Sequence, residues 1–177
     1  MTLRIAFLRA VNVGRRTVAM STVVDVCEAL GHRDVWTHAN SGNAVFEASG
    51  ARGAIERGLE EALADRFGFE VTTFVRSAKE LGAAVELQPF ELAPGDTYFI
   101  TFLKDPPARA AVAALEAASN DFDTLLVHGR DVHWRMRGRS TDTTLKASTW
   151  KPLGAHGGTS RNVNLLTKLA AKVAARA

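Results

Sequence analysis

The stretch that most narrows the possible folds is Leu3-Arg4-Ile5-Ala6-Phe7-Leu8, which places apolar side chains on both alternations of a strand. Leu3, Ile5 and Phe7 face one way and Ala6 and Leu8 the other. Such a strand belongs in the middle of a sheet covered on both sides. It runs straight into a polar corner, where Asn12 and Gly14 stop the apolar run, glycine being the residue that most easily takes positive φ. Arg15 and Arg16 follow on the connection.

The order of the next segments sets the topology. Val23, Val26, Cys27 and Leu30 recur at helical spacing behind Ser21, a residue type that caps helix N-termini, and Gly31 stands where the helix would end. Cys27 falls on the apolar stripe and reads as a core residue. Residues 35–39 and 44–46 have strand character, joined by the turn residues Asn40-Ser41-Gly42-Asn43. A second helix is expected over 52–67, with Ile55, Leu59, Ala62, Leu63 and Phe67 inward and Gly68 closing it; residues 71–75 form a further strand. The order β-α-β-β-α-β is the ferredoxin-like, split βαβ arrangement.

Residues 78–87 read as a short helix, and Pro94-Gly95-Asp96 as a boundary. Beyond it come a strand at 98–103, an alanine-rich helix at 108–118 behind Pro106-Pro107, and a hairpin of 125–128 and 131–136 around Gly129-Arg130. The expected fold class is therefore α+β. A ferredoxin-like half, 1–93, precedes a smaller βαββ half with a C-terminal helix, 94–177, the two able to form one compact unit. Residues 137–158 are polar and glycine-bearing, with Trp150-Lys151-Pro152-Leu153 as a packed segment. In the last helix Thr159 or Ser160 caps an apolar face of Val163, Leu166, Leu169, Ala170 and Val173. Lys168, Lys172 and Arg176 make a basic, solvated stripe near its C-terminal end, where cations suit the helix dipole.

Composition limits the class of function. A chain of 177 residues that is 46% hydrophobic can bury a real core, and no apolar run approaches the roughly 18–20 residues of a membrane span. A single cysteine permits no internal disulfide, which fits a reducing, cytoplasmic setting. The net charge of +3 is unevenly spread: residues 1–129 carry −5 and residues 130–177 carry +8. A basic C-terminal surface favours anions, unless it packs beside the acidic body and is compensated there.

The ferredoxin-like order brings the corner after the first strand to the same end of the sheet as the first hairpin. Arg9, Asn12 and Gly14 then stand beside Ser41, Gly42 and Asn43. An arginine fork, amide side chains, a hydroxyl and glycine N–H groups together form a rim that can hold a phosphate or carboxylate. Asparagine and glycine are also what tight turns require. No Gly-x-Ser-x-Gly elbow, Walker lysine loop or dinucleotide fingerprint occurs, no carboxylate couple stands out, and no His pairs with Cys or carboxylate at metal spacing. His128 and His133 flank a hairpin turn, where they could face each other. The residues point to no metal site and leave any cofactor and any reaction unknown.

Three motifs in order, Leu8-Arg9-Ala10-Val11-Asn12-Val13-Gly14, Ser41-Gly42-Asn43-Ala44-Val45-Phe46 and Thr159-Ser160-Arg161-Asn162, resemble the domain-of-unknown-function family 1697, a bacterial family. Pro89-Phe90 and Thr101-Phe102-Leu103 fall at matching places, so the likeness spans nearly the whole chain. This sequence carries Ala10 where the family usually has glycine, Arg15 at its second glycine and His38 where a tyrosine is common. The resemblance implies an α+β fold of ferredoxin-like character and no activity. It adds Arg161 and Asn162, at the start of the last helix, as a third member of the rim, since helix N-termini attract anions. The expected ligand is a phosphate-bearing small molecule or another anion. The alternatives are a nucleic-acid-associated module using the basic stretch from Arg130 to Lys151 together with the final helix, and a scaffold with no ligand.

Overall fold

A computed structural model describes residues 1–12, 14 and 17–176. Val13, Arg15 and Arg16 of the expected corner lie outside the described residues. The chain divides into two compact units, Met1–Gly82 with Leu169–Ala177, and Ala83–Lys168.

In the first unit, β1 (Thr2–Leu8), α1 (Met20–Ala29), β2 (Arg33–Thr37), β3 (Asn43–Ala48), α2 (Arg52–Phe67) and β4 (Thr73–Ser77) follow one another. The sheet order is β2-β3-β1-β4, every pairing antiparallel, as the ferredoxin-like arrangement requires. β1 is central, and it is buried on both alternations. Ala6 and Leu8 join Ala44, Phe46, Ala48 and Val75 under Val23, Val26 and Cys27 of α1 and Ile55, Leu59 and Leu63 of α2. Each of the large α2 side chains contributes about 1.5–3 kcal/mol by leaving water. The other alternation, Ile5 and Phe7 with Val45 and Phe74, is fully buried as well. Cys27 is a core residue whose thiol burial pushes up to about 12. The start of α1 differs from expectation: Ala19 is its N-cap with no side-chain cap bond, and Ser21 lies inside the helix.

After α3 (Ala78–Glu86), the second unit contains β5 (Thr97–Phe102), α4 (Arg109–Ala117), β6 (Asp123–His128), β7 (Asp131–Met136) and β8 (Thr159–Asn162), before α5 (Val163–Ala174). Its sheet order, β6-β7-β5-β8, repeats the order of the first sheet. The expected βαββ half therefore has a fourth strand and is itself a ferredoxin-like sheet, with 3-10 turns at Ser140–Asp142 and Ala147–Leu153 where a second helix would stand. Pro152 and glycines 154, 157 and 158 preclude a regular helix there. Trp150 and Leu153 still pack, against the core of Leu103, Leu115, Leu125 and Val132. Buried Asp123 ties the stretch down, accepting from Trp134 Nε1 at 2.9 Å, Thr143 Oγ1 at 2.8 Å and Thr144 N at 3.0 Å.

Thr159 and Ser160 are strand residues, not caps. β8 pairs with β5, and the N-cap of α5 is Asn162, whose Oδ1 accepts from the N–H of Asn164 at 2.8 Å. The strand can lie this close to β5 because residue 158 is glycine. A Cβ there would stand 2.5 Å from Thr101 Cγ2 and 2.9 Å from Leu103 Cδ2.

Candidate functional site

The corner after β1 and the β2–β3 hairpin do share one end of the first sheet. Leu8 N donates to Gly42 O at 2.8 Å, and Arg9 N to Thr72 O at 2.9 Å. Gly42 has φ of +80°; a Cβ on it would run into Val11 Cγ2 and come within 2.9 Å of Leu8 Cβ, so only glycine lets hairpin and corner meet.

Much of the amide chemistry expected of a ligand site is spent inside the corner. Asn12 Nδ2 donates to Val18 O at 3.1 Å and Asn40 O at 2.6 Å, while its Oδ1 accepts from Val18 N at 2.7 Å. Asn43 is fully buried, and its Nδ2 donates to His38 O at 2.6 Å and Ser41 Oγ at 3.0 Å. These two side chains clamp the loop and the hairpin. What the clamp holds is unusual backbone: Ala10, Asn12 and Gly14, at alternate positions, have φ of +55°, +55° and +62°. Left-handed backbone costs an L-residue about 1–2 kcal/mol, so two non-glycine residues are held in it against their preference. Arg9, Asn12, Gly14 and Ser41 are exposed at this end of the sheet.

The end of α5 and the residues just after it, which belong to the first unit, reach the same hairpin. Lys172 Nζ donates to His38 Nδ1 at 3.4 Å, and the Arg176 guanidinium lies 4.4 Å from the centre of the Trp36 ring. The basic stripe is thus partly engaged and not simply solvated. No sequence signal points to this pairing of residues far apart in the chain.

Arg161 and Asn162 fall in the second unit. Arg161 is not on a helical turn. It is a β8 residue opposite Ile100 and only 6% exposed, and its Nη1 donates to Thr159 Oγ1 at 2.8 Å and Ser160 O at 2.9 Å. Burial lowers its pKa to about 10, which leaves it charged at neutral pH. Both residues secure the junction of β8 and α5.

The histidines of the second hairpin do not oppose each other. His128 faces Asp131 across the ladder and His133 faces Leu126. His133 is fully buried, and its Nδ1 shares a hydrogen bond with the Tyr98 hydroxyl at 2.5 Å. Along the basic stretch, Arg137 pairs with Asp96 at 2.8 Å, Arg139 with Asp142 at 3.1 Å, and Arg130 Nη1 donates to Lys104 O at 3.1 Å. Among the described residues, no three His, Cys, Asp or Glu side chains gather into a set that could hold a metal ion, and no helix is long and apolar enough to cross a membrane.

A family model described as protein of unknown function (DUF1697) matches residues 1–133. The solved structure of a conserved bacterial protein from Streptococcus pneumoniae superposes with a TM-score of 0.76, over 98% of this chain and 99% of that one, at 19% sequence identity. At that identity the likeness is one of fold. No curated protein sequence matches the chain.

Proposed function

The chain belongs to the DUF1697 family of proteins of unknown function, and we propose that it binds a phosphate-bearing small molecule where β1 turns towards α1. One observation carries the proposal: the alternate left-handed residues Ala10, Asn12 and Gly14. With Val11 between them outside the left-handed region, Ala10 and Asn12 make alternating backbone, which turns successive N–H groups towards one side and makes a concavity for an anion. Strain of about 1–3 kcal/mol per residue persists only where the surroundings impose it, and such strain gathers at binding sites. Here the Asn12 clamp to Val18 and Asn40 imposes it.

The charge around the loop supports the same ligand class. Arg9 opens the corner, and no acidic residue lies in the first turn of α1, whose N-terminus has no side-chain cap bond. Its leading N–H groups and dipole add to the attraction for an anion. In this account Asn12, Gly42 and Asn43 shape the site, while Arg9, Ser41 and the loop N–H groups face the ligand.

Thermal unfolding with inorganic phosphate, sugar phosphates and nucleoside monophosphates tests it. A ligand at about 100 times its dissociation constant adds roughly 2.7 kcal/mol, or about 5–10 °C for a chain of this size. The expected result is a rise with at least one phosphate that shrinks in Arg9→Gln. No rise with any phosphate overturns the proposal. So does binding only to RNA with a steep salt dependence, which would mark phosphate-backbone contacts on the basic stretch.

A further inference from the structure

We infer that Lys172 and His38 form a second anion-recognition point beside the β1 loop, so that the ligand carries two separated anionic groups, as a sugar bisphosphate does; this rests on the phosphate site proposed above. The hairpin connects the two points through a chain of contacts. Asn12, inside the strained loop, donates to Asn40 O at 2.6 Å. Two residues back along the hairpin, His38 exchanges hydrogen bonds with Asn43, donating its N–H to Asn43 O at 2.9 Å and accepting from Asn43 Nδ2 at 2.6 Å. With its backbone so fixed, His38 accepts at Nδ1 from Lys172 Nζ at 3.4 Å.

The ammonium is held there. Lys172, in α5, meets His38, the residue after β2, and Arg176, two residues past α5, meets Trp36 within β2. Leu169 and Val173, both buried, anchor the same turns. His38 and Asn40 are at most about 7 Å apart along the chain. One small ligand can therefore span from the loop that Asn12 pins to the ammonium of Lys172. The two points contact different hairpin residues, and each meets its own anionic group.

Titration calorimetry with fructose 6-phosphate and fructose 1,6-bisphosphate, on the full chain and on Lys172→Gln, tests the inference. Losing one charge-assisted contact is expected to cost about tenfold in affinity. The unaltered chain should prefer the bisphosphate by about that factor, Lys172→Gln should bind both compounds alike, and Lys172→Arg should restore the preference. Lys172 is exposed, and an unchanged melting temperature will verify that the variant folds. Equal binding of the two compounds by the unaltered chain, or a preference that survives Lys172→Gln, overturns the second point and leaves the phosphate site standing. Binding of neither compound likewise overturns the second point, while the phosphate site stands or falls on the wider screen of phosphates.

Discussion

The carboxylate of Glu56 accepts a hydrogen bond from the backbone N–H of Val75 at 2.9 Å, so a helix side chain takes the place that a neighbouring strand would hold. β4 is an edge strand, and its outward N–H groups are taken in turn. Glu60 Oε1 accepts from Thr73 at 2.8 Å, and Glu80 Oε2 from Ser77 at 2.8 Å. The second unit treats its edge strand β6 the same way. Asn120 Oδ1 accepts from Asp123 at 2.9 Å, Ser119 Oγ from Leu125 at 2.9 Å and Glu116 Oε1 from Val127 at 3.0 Å. Blunting edges in this manner discourages strand addition and aggregation.

Glu56 is 3% exposed and also pairs with Arg52 at 3.0 Å. Glu56→Ala is expected to cost about 2–3 kcal/mol, because it strands the Val75 N–H as well as losing the ion pair. Glu56→Gln keeps an acceptor and should cost about half that. Urea unfolding of both variants measures the difference; equal losses would mean that the edge contact contributes little.

The His133 imidazole gives stability a pH dependence of known sign. Burial pushes its pKa below the ordinary 6.5, Asp131 pulls the other way, and His128 adds to the lowering. The unfolded chain then takes up the proton more readily than the native one. This contribution is full above about pH 6.5 and is lost as pH falls through the lower native value. Unfolding measured between pH 8 and about pH 5 should show a steeper loss for the unaltered chain than for His133→Gln. Equal slopes would contradict it.

Two glycines separate crowding from propensity. Gly158→Ala should destabilise by about 1–3 kcal/mol, since the new Cβ meets Thr101, Leu103 and the Phe102 carbonyl. Gly58 lies inside α2, and a Cβ added there would meet nothing within 4 Å, so Gly58→Ala should stabilise by about 0.5–1 kcal/mol. Melting temperatures that move in opposite directions are the expected result. A neutral Gly158→Ala would mean that β8 can shift away from β5.

The first ferredoxin-like unit is legible in the sequence because its elements announce themselves locally: β1 is apolar on both alternations, and α2 has a helical stripe closed by Gly68. β8 is not. Thr159-Ser160 followed by a helical apolar pattern looks like a cap, and only pairing with β5, permitted by Gly158, makes it a strand. Asn12 and Asn43 stand at the expected end of the sheet, yet the same residue type serves a turn clamp and a ligand contact, and hydrogen bonding to Val18, Asn40 and His38 commits them to the first role. Positive φ at Ala10 has no signal in the alanine itself, which ordinarily avoids it; the glycine usual in the family at that position is the hint. Lys172 reads as surface charge in the sequence, and only the fold brings it to His38.

The most direct test follows backbone amide resonances while inorganic phosphate is added to the full chain. Saturable shifts at Ala10, Asn12 and Gly14, with Leu125 and Val127 unmoved, are the result expected of an anion seated in the strained loop. Absence of saturable shifts at those three amides, or shifts confined to residues 130–151 that vanish as salt rises, would contradict the account.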